Sequence, residues 1–193
     1  MKKKIIIGIL VLILLTLGVL CIIDHIRMNN NEEVLFSSWG KKYSAPLNEK
    51  EVSQKVISMY KTVIDDLIGK SKGILQGAEY ISLDVDSFKK SNEENLTDTE
   101  KSELLDYCTK YHEEVKSLSL EGLRQIGLVE ETDGFVSIDG VLIRILNIEK
   151  LTENKAVMEV QAFRTGLGAV MTTYELKYKN EKWNLKVKEI AIS

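Results

Sequence analysis

The hydrophobic and polar positions along the chain separate a short apolar segment from a longer region of mixed character. Residues 5–23 read IIIGILVLILLTLGVLCII, in which 15 of 19 residues are Ile, Leu or Val and none is charged. A helix of this length would span about 28 Å, close to the hydrocarbon thickness of a bilayer. The pattern therefore predicts a single transmembrane helix at the N-terminus.

The charges on either side of this segment predict its orientation. Lys2 to Lys4 precede it, whereas Asp24 and Arg27 follow it, with further acidic residues at Glu32 and Glu33. Lys and Arg near the ends of a span favour the cytoplasmic side, so we expect residues 1–4 in the cytoplasm and the chain after Arg27 outside it. Two alternatives remain open. A cleaved signal peptide would need an Ala-x-Ala-like site, and lipidation at Cys21 would need a small residue before the cysteine; the sequence has neither.

Residues 24–47 form a juxtamembrane connection in two parts. The first, MNNNEE, is polar and predicts a solvated spacer. The second, VLFSSWGKKYSAP, contains three aromatic residues: Phe36, Trp39 and Tyr43. These rings could form a belt at the membrane interface or pack back onto the following domain, and the length of the spacer favours packing.

The clearest helical period begins after this connection, and residues 48–193 are expected to form one extracytoplasmic domain. Residues 50–68 place apolar side chains at helical spacing on one stripe: Val52, Val56, Met59, Tyr60, Val63, Ile64 and Leu67. Asn48 is the expected N-cap. The stripe is expected to pack into the core.

Two further helices and a strand are predicted before residue 128. Residues 78–85 alternate polar and apolar side chains, as in a half-buried strand. Thr97 and Glu100 have the spacing of a capping box, which opens a helix predicted to reach Leu118. A short helical turn from Ser119 to Gly127 follows.

The last third of the chain has the pattern of a strand meander. Turns are predicted at Asp133-Gly134 and Asp139-Gly140. Four strands with short gaps, which favour antiparallel pairing, are predicted at residues 140–150, 156–164, 169–178 and 183–190. The order of elements predicts an α+β fold, with helices packed on one face of a curved antiparallel sheet that ends in the C-terminal meander.

Four sequence segments carry a resemblance: FSSWGKKYSAP, EYISLDVDSF, GLRQIGL followed by DGVLIRI, and VQAFRTGLGAVMTTYELKYKNEKW. In these segments the chain resembles uncharacterised membrane-anchored exported proteins of Gram-positive bacteria. The order of elements is also similar to the nuclear-transport-factor-two-like and cystatin-like superfamilies. These resemblances imply a cone-shaped α+β domain at the cell envelope. They imply no single function, because those folds serve enzymes, ligand pockets and assembly modules alike.

Composition narrows the possible functions of the exported part. The net charge is −3, to which Lys2 to Lys4 contribute +3, so the remainder carries about −6. An acidic domain is a poor candidate for nucleic-acid binding, which requires basic patches. Cys108 is the only cysteine after the apolar segment, so no internal disulfide is expected there. We expect it to be buried, although pairing with another chain is the alternative.

Three groups of residues are candidates for a binding or catalytic role. Gly166-Leu167-Gly168 lacks the third glycine of a dinucleotide loop and precedes a strand, so a hairpin turn is expected. Asp84 and Asp86 would share one face of a strand but lack the other ligands of a calcium loop. His112 has neither a second histidine near it nor a visible nucleophile and is expected on the surface of a helix.

A set of aromatic residues offers a candidate ligand site. Tyr80, Tyr174, Tyr178 and Trp183 could line a hollow on the sheet face, although such residues more often fill the core beneath a helix. Arg164, beside the glycine turn, would stand at the mouth of that hollow.

The function expected from the sequence is a non-enzymatic interaction module that binds a protein partner at the cell envelope. No catalytic residues, metal site or cofactor are predicted. The alternatives are a domain that binds a peptide or small molecule in the hollow, and an enzyme that recruits Asp84, His112 or Arg164.

Overall fold

A computed structural model describes residues 48–193 and six helical positions before them, namely Val19, Leu20, Ile22, Ile23, His25 and Arg27. The chain divides into two units, Met1–Leu47 and Asn48–Ser193. Apart from those six positions, the predicted transmembrane segment and the juxtamembrane connection lie outside the described residues. Within the part that is described, no helix combines the length and the apolar character needed to cross a membrane.

The second unit contains four helices and seven strands, numbered here in chain order within residues 48–193. The helices are α1 (Glu49–Lys70), α2 (Lys72–Leu75), α3 (Asp98–Cys108) and α4 (Leu120–Gln125), with a 3-10 helix at Val85–Ser87. The strands are β1 (Ile81–Leu83), β2 (Val115–Lys116), β3 (Glu130–Thr132), β4 (Phe135–Leu151), β5 (Lys155–Thr165), β6 (Gly168–Lys179) and β7 (Lys182–Ile192). This confirms the α+β class.

Helix α1 forms where the apolar period predicted it. Asn48 accepts a hydrogen bond from the Glu51 amide at 2.9 Å, and the Glu51 carboxylate accepts one from the Asn48 amide at 3.0 Å, which completes a capping box. The buried side chains of the helix lie on one face: Val56, Ile57, Met59, Tyr60, Val63, Ile64, Leu67 and Ile68.

The sheet is curved and mixed, whereas the sequence pattern predicted a purely antiparallel one. Six strands lie side by side in the order β2-β1-β4-β5-β6-β7, and β3 pairs with β4. Strands β4 to β7 form the predicted antiparallel meander, but β1 runs parallel to both β2 and β4. The parallel pairs are possible because more than 30 residues separate Leu83 from Val115 and Val141, which is enough for a crossover connection.

Helices also cover both faces of the sheet rather than one. Residues directly opposite each other in neighbouring antiparallel strands share a face. Ile143, Ala162 and Val170 are such a row, and they belong to the core beneath α1. Leu142 and Phe163 are on the opposite face, where α4 packs against them through the fully buried Leu123. The sequence pattern predicted the helical turn of α4 but not which face of the sheet it meets.

Helix α3 ends ten residues before the predicted end at Leu118. The amide of Tyr111 bonds to the Cys108 carbonyl at 2.9 Å, which closes a turn after the last helical residue. The following segment then joins the sheet, because the amide of Ile81 donates to the Glu114 carbonyl at 3.0 Å and Val115 pairs with Ile81. Pairing with β1 therefore outweighs the helical period of the sequence.

Two glycine motifs have different outcomes. Gly166-Leu167-Gly168 is the hairpin turn between β5 and β6, as predicted. Asp139-Gly140 is not a turn but part of β4. Gly140 is required there because the ring of Tyr80 lies against it: a Cβ at this position would be 2.2 Å from the nearest ring carbon.

We therefore expect Gly140→Ala to destabilise the chain by about 1–3 kcal/mol, because Tyr80 and β4 must move apart to admit one methyl group. Gly69→Ala is the matched control. It lies inside α1 with no atom within 4 Å of the added Cβ, and it should raise stability by up to about 1 kcal/mol. Urea unfolding monitored by circular dichroism measures both changes. Equal stability of Gly140→Ala and the parent chain would show that the Tyr80 contact is not a constraint.

Candidate functional site

The aromatic residues predicted around a hollow fill the interface between α1 and the sheet. Tyr174 and Trp183 are buried, and Tyr178 packs against the same cluster. The rings of Tyr178 and Trp183 meet edge to face with centroids 5.2 Å apart. In the described part of the chain these side chains pack into the core beneath α1, which is one of the two alternatives that the sequence left open.

Lys55 on α1 ties this aromatic pair to the helix. Its carbonyl accepts a hydrogen bond from Trp183 Nε1 at 2.8 Å. Its ammonium lies 3.9 Å from the centroid of the Tyr178 ring and donates to Asn154 Oδ1 at 2.6 Å. Burial lowers the pKa of Lys55 against the opposing influence of Glu153. Tyr178 and Trp183 therefore clamp the N-terminal half of α1 rather than line a pocket.

The other two tyrosines also have packing roles. Burial, together with the nearby Asp66 carboxylate, raises the pKa of Tyr174 well above its usual range, so its hydroxyl is not poised for acid–base chemistry. Tyr80 lies in the core cluster of Leu123 and Phe163, on the opposite sheet face from Tyr174. Tyr80 therefore does not lie with the other three aromatic residues, because its ring packs against Gly140 of β4 on the other face of the sheet.

Arg164 stands not at a pocket mouth but at the end of α2. Its guanidinium donates to three backbone carbonyls: Ile74 at 3.0 Å, Gln76 at 2.8 Å and Gly77 at 3.0 Å. Carbonyls at the C-terminus of a helix lack partners within the helix, and a planar cation satisfies several at once. The side chain fixes the turn between α2 and β1.

The predicted metal and base candidates are separated by the fold. Asp86 lies in the 3-10 helix and pairs with Lys101 at 2.6 Å, whereas Asp84 precedes that helix. Burial and the charge of Asp86 raise the pKa of Asp84.

His112 is in the loop after α3, not on a helix. Its Nδ1 lies 3.0 Å from the Glu114 amide nitrogen and 3.1 Å from the Glu114 carbonyl, and its Nε2 lies 3.1 Å from the Ala78 carbonyl.

Cys108 is fully buried at the end of α3, as predicted. Burial raises the pKa of its thiol to about 12, so the thiol is not a nucleophile at neutral pH. Across residues 48–193 and the six earlier positions, no three His, Cys, Asp or Glu side chains are grouped as metal ligands.

A polar cavity of about 490 Å³ lies where the N-termini of α1 and α3 meet, and the sequence pattern did not indicate it. Lys90 and Glu100, both buried, contribute to its wall, and Lys90 Nζ is 3.7 Å from Glu100 Oε1. Lys90 Nζ is also 3.5 Å from Glu94 and 3.9 Å from Glu49. Lys90 lies in the loop between the 3-10 helix and α3. Its burial follows from the tertiary position of that loop against α1.

A second cavity, of about 390 Å³, runs beside β4 and is called here the β4 groove. Residues 145–149 of β4 form one wall, and Ser87, Lys89 and Asn92 form the other. Strand β1 pairs with β4 only as far as Ile143, so no described strand pairs with the groove side of β4 beyond that point. The groove is thus an open strand edge inside a cavity.

The third open feature is an apolar surface at one end of the sheet, called here the apolar end. It consists of Phe135 (60% exposed), Leu167 (79%), Ile190 (45%) and Ile192 (74%). The β-ladders bring these residues together: the Gly166 amide bonds to Val136, and Ile192 pairs with Val170. The apolar end adjoins β7, which lies at one edge of the sheet.

No family model matches the chain, and comparison with curated proteins and with solved structures finds no match either. The resemblance to membrane-anchored exported proteins therefore stays a prediction. The function has to be argued from the geometry alone.

The role of Arg164 as a structural brace leads to a testable stability change. Arg164→Ala should lower the free energy of unfolding by about 2 kcal/mol, because hydrogen bonds to a charged group are worth about 1.5–3 kcal/mol. Arg124→Ala is the matched control. Arg124 pairs with Glu121 and Glu131 on the surface, so its loss should lower stability much less than the loss of Arg164 does. Urea unfolding separates the two, and similar losses would contradict the brace.

We expect the domain to lose stability in acid because of the Glu100 carboxylate. Burial alone would raise its pKa, but hydrogen bonds from Thr97 and the charge of Lys90 outweigh burial, so the pKa is lowered. A carboxyl whose pKa is lower in the folded chain stabilises the fold above its unfolded pKa of about 4.3, and this contribution disappears as the pH falls below it.

Glu100→Gln should therefore flatten the fall in stability below about pH 5, while exposed Glu93→Gln should leave it unchanged. The measurement is the urea midpoint at a series of pH values. An unaltered acid profile for Glu100→Gln would show that this carboxylate does not couple folding to pH.

Proposed function

We propose that this chain is a membrane-anchored, extracytoplasmic interaction module of the cell envelope that binds a protein partner without catalysing a reaction. The observation that carries the proposal is the apolar end beside the edge strand β7. Four large apolar side chains are exposed there, while the candidate ligand hollow is filled. Exposed apolar surface of this kind is typical of protein interaction sites.

The charge of β7 selects the kind of partner. Its side chains Lys182, Lys186 and Lys188 are exposed, and Lys188 lies where the register between β6 and β7 shifts. Lysines on an edge strand oppose pairing with neutral or basic strands. They would pair favourably with acidic side chains. We infer that the partner contributes an extended acidic segment, which adds to β7 and covers Ile190 and Ile192.

The anchor supports an envelope location for this module. The apolar run of residues 5–23 and the lysines before it favour retention in the membrane with the domain outside the cytoplasm. A tethered domain needs only modest affinity, because tethering raises the effective concentration of a partner in the same membrane.

The alternative functions have less support. A peptide or small molecule bound at the sheet face would have to displace Tyr174 and Trp183 from the core. An enzyme built on Asp84, His112 and Arg164 would need their functional groups free and close together. Instead, His112 and Arg164 are bonded to the adjacent backbone carbonyls of Ala78 and Gly77, and Asp84 follows the far end of β1. Neither arrangement offers a nucleophile beside a base.

The test is site-specific photocrosslinking of the full-length chain in living cells. A photoreactive amino acid replaces Ile192 in one variant and exposed Ser102 on α3 in the control. We expect one recurrent protein adduct from position 192 and none from position 102. The adduct should map to an acidic segment of the partner and should disappear in Lys186→Glu/Lys188→Glu.

Three results would contradict the proposal. Adducts to lipid alone would assign the apolar end to the membrane surface. Equal adducts from positions 102 and 192 would indicate non-specific contact. Recovery of the chain as a shorter soluble form, rather than in the alkaline-washed membrane fraction, would remove the anchor from the function.

A further inference from the structure

The β4 groove arises because the neighbouring strand stops early. Strand β1 has only three residues, after which the chain turns into the 3-10 helix at Val85–Ser87. Two hydrogen bonds fix this departure: the Asp84 amide donates to the Ile143 carbonyl at 3.0 Å, and the Ile145 amide donates to Ser87 Oγ at 3.0 Å. From Leu146 onward, β4 pairs with β5 on one side and faces the cavity on the other.

The opposite wall of the groove is held in place by the core. Tyr60 on α1 donates a hydrogen bond to the Lys89 carbonyl at 2.7 Å and accepts one from the Lys89 amide at 3.0 Å. Its ring packs edge to face on Phe88 with centroids 4.9 Å apart. The bridge between Lys89 and Asn95 closes the loop. A wall fixed in this way lowers the ordering cost of binding.

We propose that the β4 groove binds a short extended peptide segment that pairs through its backbone with residues 146–149 of β4. A strand edge offers N–H and C=O groups in a row, and an added strand is the ligand that satisfies such a row. At about 3.3 Å per residue, this stretch accommodates a peptide of about four to five residues.

The side chains lining the groove fit a peptide better than an ion. Lys89 and Glu149 offset each other in charge, and Lys89 already donates to Asn95. The carboxamides of Asn92 and Asn147 line the groove and form no hydrogen bond with the described part of the chain. A carboxamide donates and accepts as a peptide group does. Leu146, exposed at a shift in the β4–β5 register, offers an apolar contact for one peptide side chain.

This site is separate from the apolar end, so the two proposals fail independently. The test uses the full-length chain in detergent micelles and a displayed library of random eight-residue peptides. An enriched peptide is then synthesised, and hydrogen exchange of the chain is measured with and without it. We expect slower exchange of those amides of residues 146–149 that face the groove, and unchanged exchange in β7.

Two exposed leucines supply matched variants. Leu146→Asp should lower the affinity of the chain for the selected peptide by about tenfold or more, a change of about 1.4 kcal/mol. The chain with Leu167→Asp, at the apolar end, should bind the peptide as tightly as the parent chain does. N-methylation along the peptide should reduce binding at alternate positions only, because alternate N–H groups of an edge-bound strand point toward the sheet.

The proposal is overturned if the library yields no enriched peptide, if protection appears away from residues 146–149, or if Leu146→Asp binds normally. Loss of binding in both leucine variants would likewise refute it, since that result would indicate a general effect of added charge. Hydrogen exchange without peptide checks that each variant keeps the parent fold.

Discussion

The burial of one apolar stripe of α1 against the sheet is the interaction on which the rest of the domain depends. Each large apolar side chain on that stripe contributes about 1.5–3 kcal/mol when it leaves water. The same helix holds three other parts of the chain. Its Lys55 carbonyl binds Trp183 of β7, its Tyr60 fixes the loop at Lys89, and its Asp65 accepts hydrogen bonds from Tyr107 and Tyr111 at the end of α3.

In the described part of the chain, this packing fills the space between α1 and the sheet, and two open features lie at the margins of the sheet. Aromatic side chains that would otherwise line a hollow are used to hold α1. The margins remain open because sheets end there: β7 has no outer neighbour among the described strands, and β4 continues past the end of β1. Binding at strand edges relies on backbone groups as well as side chains, so it needs no catalytic constellation.

Polar groups in the domain act mainly as braces between segments distant in the chain. Arg164 joins the end of β5 to the turn after α2, and His112 joins the loop after α3 to the residue before β1. Both residue types are common in active sites, which made them candidates. Their partners here are backbone carbonyls that lack a partner in a helix or strand, and satisfying such groups is a structural requirement.

The sequence by itself determined the features that depend on neighbouring residues. The period of α1, the capping box at Thr97, the hairpin at residues 166–168 and the meander from β4 to β7 all follow from local spacing, and each is present. The burial of Cys108 also followed, because its side chain continues the apolar stripe of its helix.

Only the tertiary structure decided the features that join distant segments. The parallel pairing of β1, the early end of α3, the position of α4 on the second face and the need for glycine at residue 140 each depend on a contact across many residues. The same is true of the candidate sites. A strand edge is open or covered according to where another strand stops. The length of β1 cannot be inferred from the side-chain pattern of β4.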